Sequence, residues 1–192
     1  MPAPPVGVQG AGADARPVET LSPVQVIVLG LLRLGGPATP YDLKQRVAGS
    51  VGNFWSVPHS QLYSEPDRLA ERGLVSVERE LGGRRRKSFS ITDAGRQALD
   101  RWVASPPTDL GELRTPALLA VFFGSDPVEI AATQLPLHEA KLAEYEQLIA
   151  AGRAADPGAP AGPLLTIHAG VLTERAWIAY WAAIRDGSAF DG

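Results

Sequence analysis

The chain has 192 residues, 45% of them hydrophobic and 20% charged, with a net charge of −3 and no cysteine. That length suits one domain or two small ones with a true core, and the lack of cysteine excludes a disulfide framework and a thiolate zinc site. No apolar run reaches the roughly 18 residues of a membrane span, since Gln25, Gly30 and Arg33 interrupt Val24 to Leu34.

Residues Met1 to Thr20 are rich in Pro, Gly and Ala and lack the basic start and apolar centre of a signal peptide. They read as a disordered tail (1–20), and the expected location is the cytoplasm. Ser22 followed by Pro23 is a helix start. Val24, Ile27, Val28, Leu31 and Leu32 follow at helical spacing until Gly35-Gly36-Pro37. A second helix starts near Thr39-Pro40, with Tyr41, Leu43 and Val47 on its apolar side and Asp42, Lys44, Gln45 and Arg46 on the other. A third starts between Pro58 and Ser60 and runs to Gly73, which suits a left-handed cap.

Val75 and Val77, then Phe89 and Ile91, alternate with polar residues on either side of Gly82-Gly83. That is a two-stranded hairpin. Thr92 or Asp93 caps a further helix carrying Ala94, Ala98, Leu99, Trp102 and Val103, stopped by Pro106-Pro107. The order helix-helix-helix-strand-strand-helix is that of a winged helix, placed at 21–104. Beyond it, 105–192 reads as a helical association module: a short apolar segment around Leu118 to Phe123, a long helix from Pro127 to about Arg153, a connector, and a second long helix from Pro163 to Arg185. The expected fold class is therefore mainly α, an N-terminal winged helix-turn-helix followed by a C-terminal α-helical dimerisation domain.

The acidic balance counts against a nucleic-acid partner, but the charges are unevenly spread. Arg68, Arg72, Arg79, Arg84, Arg85, Arg86, Lys87 and Arg96 crowd one segment, while acidic residues dominate the C-terminal half. A major-groove reader exposes hydrogen-bonding side chains near a helix start. Ser60, Gln61 and Ser64 suit the exposed face of the third helix, and Leu62 and Leu69 the buried one. Tyr63 offers a hydroxyl to phosphate, and Arg68 suits phosphate or base. Arg84, Arg85, Arg86 and Lys87 form a cationic tip that gains little unless an anion is present. His59 caps the third helix or meets DNA. His59, His138 and His168 are widely separated with no ligand spacing, so neither a metal nor a catalytic histidine is expected. No nucleophile elbow or phosphate loop is present, and neither enzymatic activity nor a cofactor is expected. Trp177, Tyr180 and Trp181 form an aromatic stripe on the last helix, read as packing, with Trp177 or Trp181 lining an effector pocket as the sharper hypothesis.

These residues resemble the PadR family of bacterial transcription regulators. The resemblance runs through Ile27 to Leu32, Tyr41-Asp42-Leu43, Phe54-Trp55, Ser60-Gln61-Leu62-Tyr63, Arg68-Leu69, Gly73-Leu74-Val75, Gly83 to Lys87 and Ser90 to Gly95. The remainder looks like the C-terminal helical domain of the virulence-activator-like subgroup. The resemblance implies a homodimeric repressor on a palindromic operator in double-stranded DNA, released by a small hydrophobic or phenolic effector. It assigns Ser60, Gln61 and Tyr63 to the reading helix, Tyr41 to a backbone contact and Arg84 to Lys87 to the wing. The alternative is a winged-helix protein-interaction module without sequence-specific DNA binding. One departure is Pro66: it removes the hydrogen bond to Leu62 and either kinks the helix or marks the first turn of one beginning near Ser64.

Overall fold

The structure, a computed structural model, describes residues 20–79, 87–105, 107–155 and 161–189. The expected tail and Arg84, Arg85 and Arg86 at the wing tip lie outside the described residues. The chain divides into two compact units, Met1–Pro107 and Thr108–Gly192. The fold is mainly helical with one two-stranded antiparallel sheet, as the patterning predicts.

In the first unit, helix α1 (Pro23–Gly35) begins with a reciprocal cap. The Gln25 amide N–H donates to Ser22 Oγ at 3.3 Å, and the Ser22 N–H donates to Gln25 Oε1 at 3.1 Å. Helix α2 (Pro40–Ala48) repeats the device with Thr39 and Asp42. Leu43 and Val47 face the core, but Tyr41 departs from the expected apolar side and is 60% exposed. Arg46, expected on the polar face, instead folds back. It donates to the carbonyls of Leu31, Gly36 and Pro37, so the carbonyl end of α1 is closed by a side chain from α2.

A single 3-10 turn, Val51–Asn53, leads to α3 (His59–Glu71). Helix α3 runs unbroken from His59 through Pro66, so the start near Ser64 is not the one adopted. Pro66 has no N–H for the Leu62 carbonyl, yet its ring is wholly buried beside Leu62 and Leu69. Burying such a side chain is worth about 1.5–3 kcal/mol, comparable to the roughly 3 kcal/mol that proline costs inside a helix. Gly73, at φ 69°, ends α3. Its N–H bonds the Ala70 carbonyl and the Leu74 N–H bonds the Leu69 carbonyl, both at 2.9 Å, which is the left-handed stop the sequence predicts.

Strands β1 (Val75–Arg79) and β2 (Lys87–Ile91) pair antiparallel with Val77 opposite Phe89. Ala38, before α2, adds a bridge on the far side of Phe89, each N–H donating to the other's carbonyl. Thr92 then caps α4 (Asp93–Val103): Thr92 Oγ1 accepts from the Gly95 N–H and donates to the Gly73 carbonyl. A Cβ on Gly95 would lie 2.1 Å from the Leu74 carbonyl oxygen, so the start of α4 sits directly on the junction between α3 and β1. The core joins Val28, Leu29 and Leu32 of α1 to Leu43, Leu62, Leu69, Phe89 and Leu99. Ala98 and Leu99 are buried as expected, whereas Trp102 and Val103 are exposed at the end of α4.

In the second unit, α5 (Pro116–Phe122) precedes two long helices, α6 (Pro127–Ala155) and α7 (Ala161–Arg185). Helix α7 starts two residues before the expected Pro163, which is accommodated in the first turn where its missing N–H costs nothing. Helices α6 and α7 pack antiparallel. A Cβ on Gly170 would lie 2.7 Å from the Tyr145 ring, so the two helices approach closely there. Burial pushes the Tyr145 phenol above its ordinary value of 10.0, although Lys141 over its ring opposes the shift.

Candidate nucleic-acid interface

The four buried positions of α3, namely Leu62, Glu65, Pro66 and Leu69, fall on one side of the helix. At 100° per residue the opposite side is centred on Ser60 and Ser64. Both are exposed, flanked by Gln61 and Arg68 on one edge and by Tyr63 and Asp67 on the other. Tyr63 is 50% exposed and the Arg68 side chain 64%. This face therefore offers hydroxyls, a carboxamide, a phenol and a guanidinium on a helix whose back is locked into a core. His59 is the first residue of α3 and is exposed. It is not a cap, because no side chain caps this helix. Tyr41 stands outward on α2, and its hydroxyl accepts from Gln45 Nε2 at 3.1 Å.

Lys87, assigned to the wing tip, is the first residue of β2. Its ammonium lies 2.7 Å and 2.9 Å from the two Asp67 carboxylate oxygens. The pair ties the wing to α3 and neutralises a carboxylate on the outward face, a linkage that nothing in the local sequence signals. Glu65 is a second surprise. It is a carboxylate 6% exposed, held by Gln25 and Arg68. Its place one turn from Leu62 and Leu69 on the apolar stripe is the signal that sequence reading passed over.

The aromatic stripe of α7 is sandwiched. Trp177 stacks on His138 of α6 with ring centroids 5.7 Å apart and on Trp181 at 6.2 Å, both nearly parallel. Trp181 is wholly buried, and its indole Nε1 has no hydrogen-bond partner among the described residues. His138, which has no carboxylate at ligand spacing in the sequence, meets one across the helix pair: its Nδ1 lies 2.5 Å from Glu174 Oε2 on α7. Sequence separation hides this pair, since only the antiparallel packing of α6 and α7 brings it together. Among the described residues no three His, Asp or Glu side chains gather as a metal site, and no helix is long and apolar enough to cross a membrane.

The family model described as the transcriptional regulator PadR-like family matches residues 28–101, the span from the core of α1 to the last turn of α4. The negative transcriptional regulator PadR of Bacillus subtilis (strain 168) is 26% identical over 169 residues, covering 82% of this chain and 92% of the relative. The crystal structure of Bacillus subtilis PadR in complex with operator DNA superposes with a TM-score of 0.74 at 23% identity, over 85% of this chain and 96% of that one. The same protein in complex with p-coumaric acid gives 0.69 at 22%, over 88% and 98%.

Proposed function

We propose that this chain, which matches the transcriptional regulator PadR-like family over residues 28–101 and a Bacillus subtilis PadR over most of its length, is a homodimeric repressor that binds a palindromic operator through α3 and the wing. The observation that carries this reading is the outward face of α3. Ser60, Gln61, Tyr63, Ser64 and Arg68 project together from a helix whose opposite side is buried. Ser60, Gln61 and Arg68 supply the donors and acceptors that read base edges. Tyr41, His59, Tyr63 and Ser64 serve the sugar-phosphate backbone, which fixes register. Arg84, Arg85 and Arg86 supply charge to phosphates or the minor groove, while Lys87 holds Asp67. Two copies present their reading helices about 34–36 Å apart, one turn of the duplex. The chain has no catalytic role in this reading and works in the cytoplasm.

Repression is relieved by a small phenolic acid bound in the second unit. The Bacillus subtilis relative has been crystallised with p-coumaric acid. The buried Trp181 indole is a donor without an acceptor among the described residues, and leaving such a group unpaired costs about 1–3 kcal/mol. A ligand oxygen reaching it would recover that cost.

The test is fluorescence anisotropy on a duplex from upstream of the protein's own gene over a salt series, for wild type and the Arg84→Ala/Arg85→Ala/Arg86→Ala variant. Each lost phosphate contact reduces the slope of log affinity against log salt by about 0.9, so the variant loses about two to three units of slope. The protein's own tryptophan signal serves for titration with p-coumaric acid, which should quench it and release the duplex. Salt-insensitive binding, or none, favours the protein-interaction module instead.

A further inference from the structure

Glu65 is the one charged residue buried in the first unit among the described residues. Its Oε2 accepts from Gln25 Nε2 at 3.0 Å, and its Oε1 from Arg68 Nη1 at 2.6 Å. Gln25 is itself engaged at both its amide nitrogen and its oxygen. Its Oε1 caps the Ser22 N–H and accepts from Arg72 Nη1 at 2.8 Å. One continuous network thus joins the first turn of α1, the buried side of α3 and a guanidinium on the exposed face of α3. A buried network of this kind fixes one geometry, because a half-satisfied alternative is costly.

We propose that Glu65 is a positioning residue for DNA reading: it clasps α3 to the start of α1 and presents Arg68 as a hydrogen-bonding fork rather than as a free positive charge. The proposal rests on α3 being the DNA-facing helix. Arg68 is anchored by one nitrogen while its side chain remains largely exposed. The anchor restricts its rotamers before binding, and the carboxylate offsets its charge. Attraction to any phosphate is thereby weakened, while the donors needed for a guanine edge are kept. Removing the carboxylate frees Arg68 and adds one positive charge to the DNA face. Operator binding and non-specific binding should then move in opposite directions, which a simple loss of stability cannot do.

The network also predicts its own rescue. In Glu65→Gln the new amide faces donors on both sides, so one contact is lost. In Gln25→Glu two carboxylates meet. In the double variant Gln25→Glu/Glu65→Gln, the polarity of the central hydrogen bond is reversed. The amide introduced at position 65 donates to the carboxylate introduced at position 25 and accepts from Arg68. That carboxylate in turn accepts from the Ser22 N–H and from Arg72. Every donor again has an acceptor.

The experiment uses the full-length protein. A duplex is enriched by the wild type from a random pool, and its affinity is compared with that of a scrambled duplex at fixed salt. Glu65→Gln should lower the operator-over-scrambled ratio on the order of tenfold, the low end for a specific base contact, with scrambled binding unchanged or tighter. Gln25→Glu/Glu65→Gln, which returns the anchor on Arg68 and the network's negative charge one side chain further away, should restore most of the ratio. Arg68→Ala, checked for folding by circular dichroism because it leaves buried Glu65 one partner short, should lose the ratio by the same factor. An unchanged ratio in Glu65→Gln, no rescue by the double variant, or equal losses on both duplexes in Arg68→Ala each overturns the proposal. A wild type that enriches no sequence overturns the DNA-binding reading itself, and this proposal with it.

Discussion

At the scale of single residues, the outward face of α3 carries two carboxylates that oppose an approaching duplex, exposed Glu71 in the last turn and, one turn nearer the reading residues, Asp67. Lys87 covers it from the wing, with both side chains more than one third exposed. An exposed pair of this kind contributes only about 0–1 kcal/mol to folding. Its value lies in what the carboxylate would otherwise do to approaching phosphates. Lys87→Ala should therefore leave the melting temperature within a degree or two while weakening duplex binding about three- to tenfold at low salt. Adding Asp67→Ala should recover most of that loss. Thermal melts beside anisotropy measure both; a double variant as weak as Lys87→Ala would make Lys87 a direct phosphate contact.

At the scale of elements, the joints matter more than the helices. Thr92, Gly73, Leu74 and Gly95 form one knot in which the end of α3, both strand roots and the start of α4 share hydrogen bonds. Gly95→Ala drives a methyl into the Leu74 carbonyl, a backbone atom that cannot step aside. It should cost at least about 2 kcal/mol, in the upper part of the overpacking range, read as a fall in the denaturant midpoint by circular dichroism. Unchanged stability would mean that α4 is free to shift off the junction between α3 and β1. Much of this level was legible beforehand. The caps at Ser22, Thr39 and Thr92, the glycine stop at Gly73 and the alternation of the strands are local signals, and each element forms where its signal stands. The contacts that orient the elements were not legible. Arg46 on the end of α1, Lys87 on Asp67, Gln25 on Glu65 and His138 on Glu174 pair residues distant in sequence, and no local pattern announces a partner. The outward face of α3 was readable because periodicity alone fixes which side of an amphipathic helix is wet.

At the scale of the whole molecule, the second unit leaves apolar surface uncovered. Leu119, Phe122 and Phe123 on and just after α5 are 61%, 81% and 78% exposed, and the two phenyl rings meet edge to face at 5.2 Å. Contiguous apolar surface of this kind marks an association site, and the proposed homodimer is its natural occupant. Phe122→Ser/Phe123→Ser should shift sedimentation equilibrium toward monomer and weaken operator binding at least about tenfold, since each half-site is then bound alone. A variant that stays dimeric would locate the dimer contact elsewhere. The bridge between Ala38 and Phe89 has a reach of a different kind. Both backbone polar groups of Phe89 point to Ala38, so on its other side Val77 is a partner by side chain alone. Exchange of the Phe89 amide with solvent deuterium should therefore be governed by a segment that belongs to neither strand. Its protection should be lost when the turn between α1 and α2 lifts away, even while the hairpin stays closed. One proton thus reports whether the helical half of the reading head and its wing are moving as a single body.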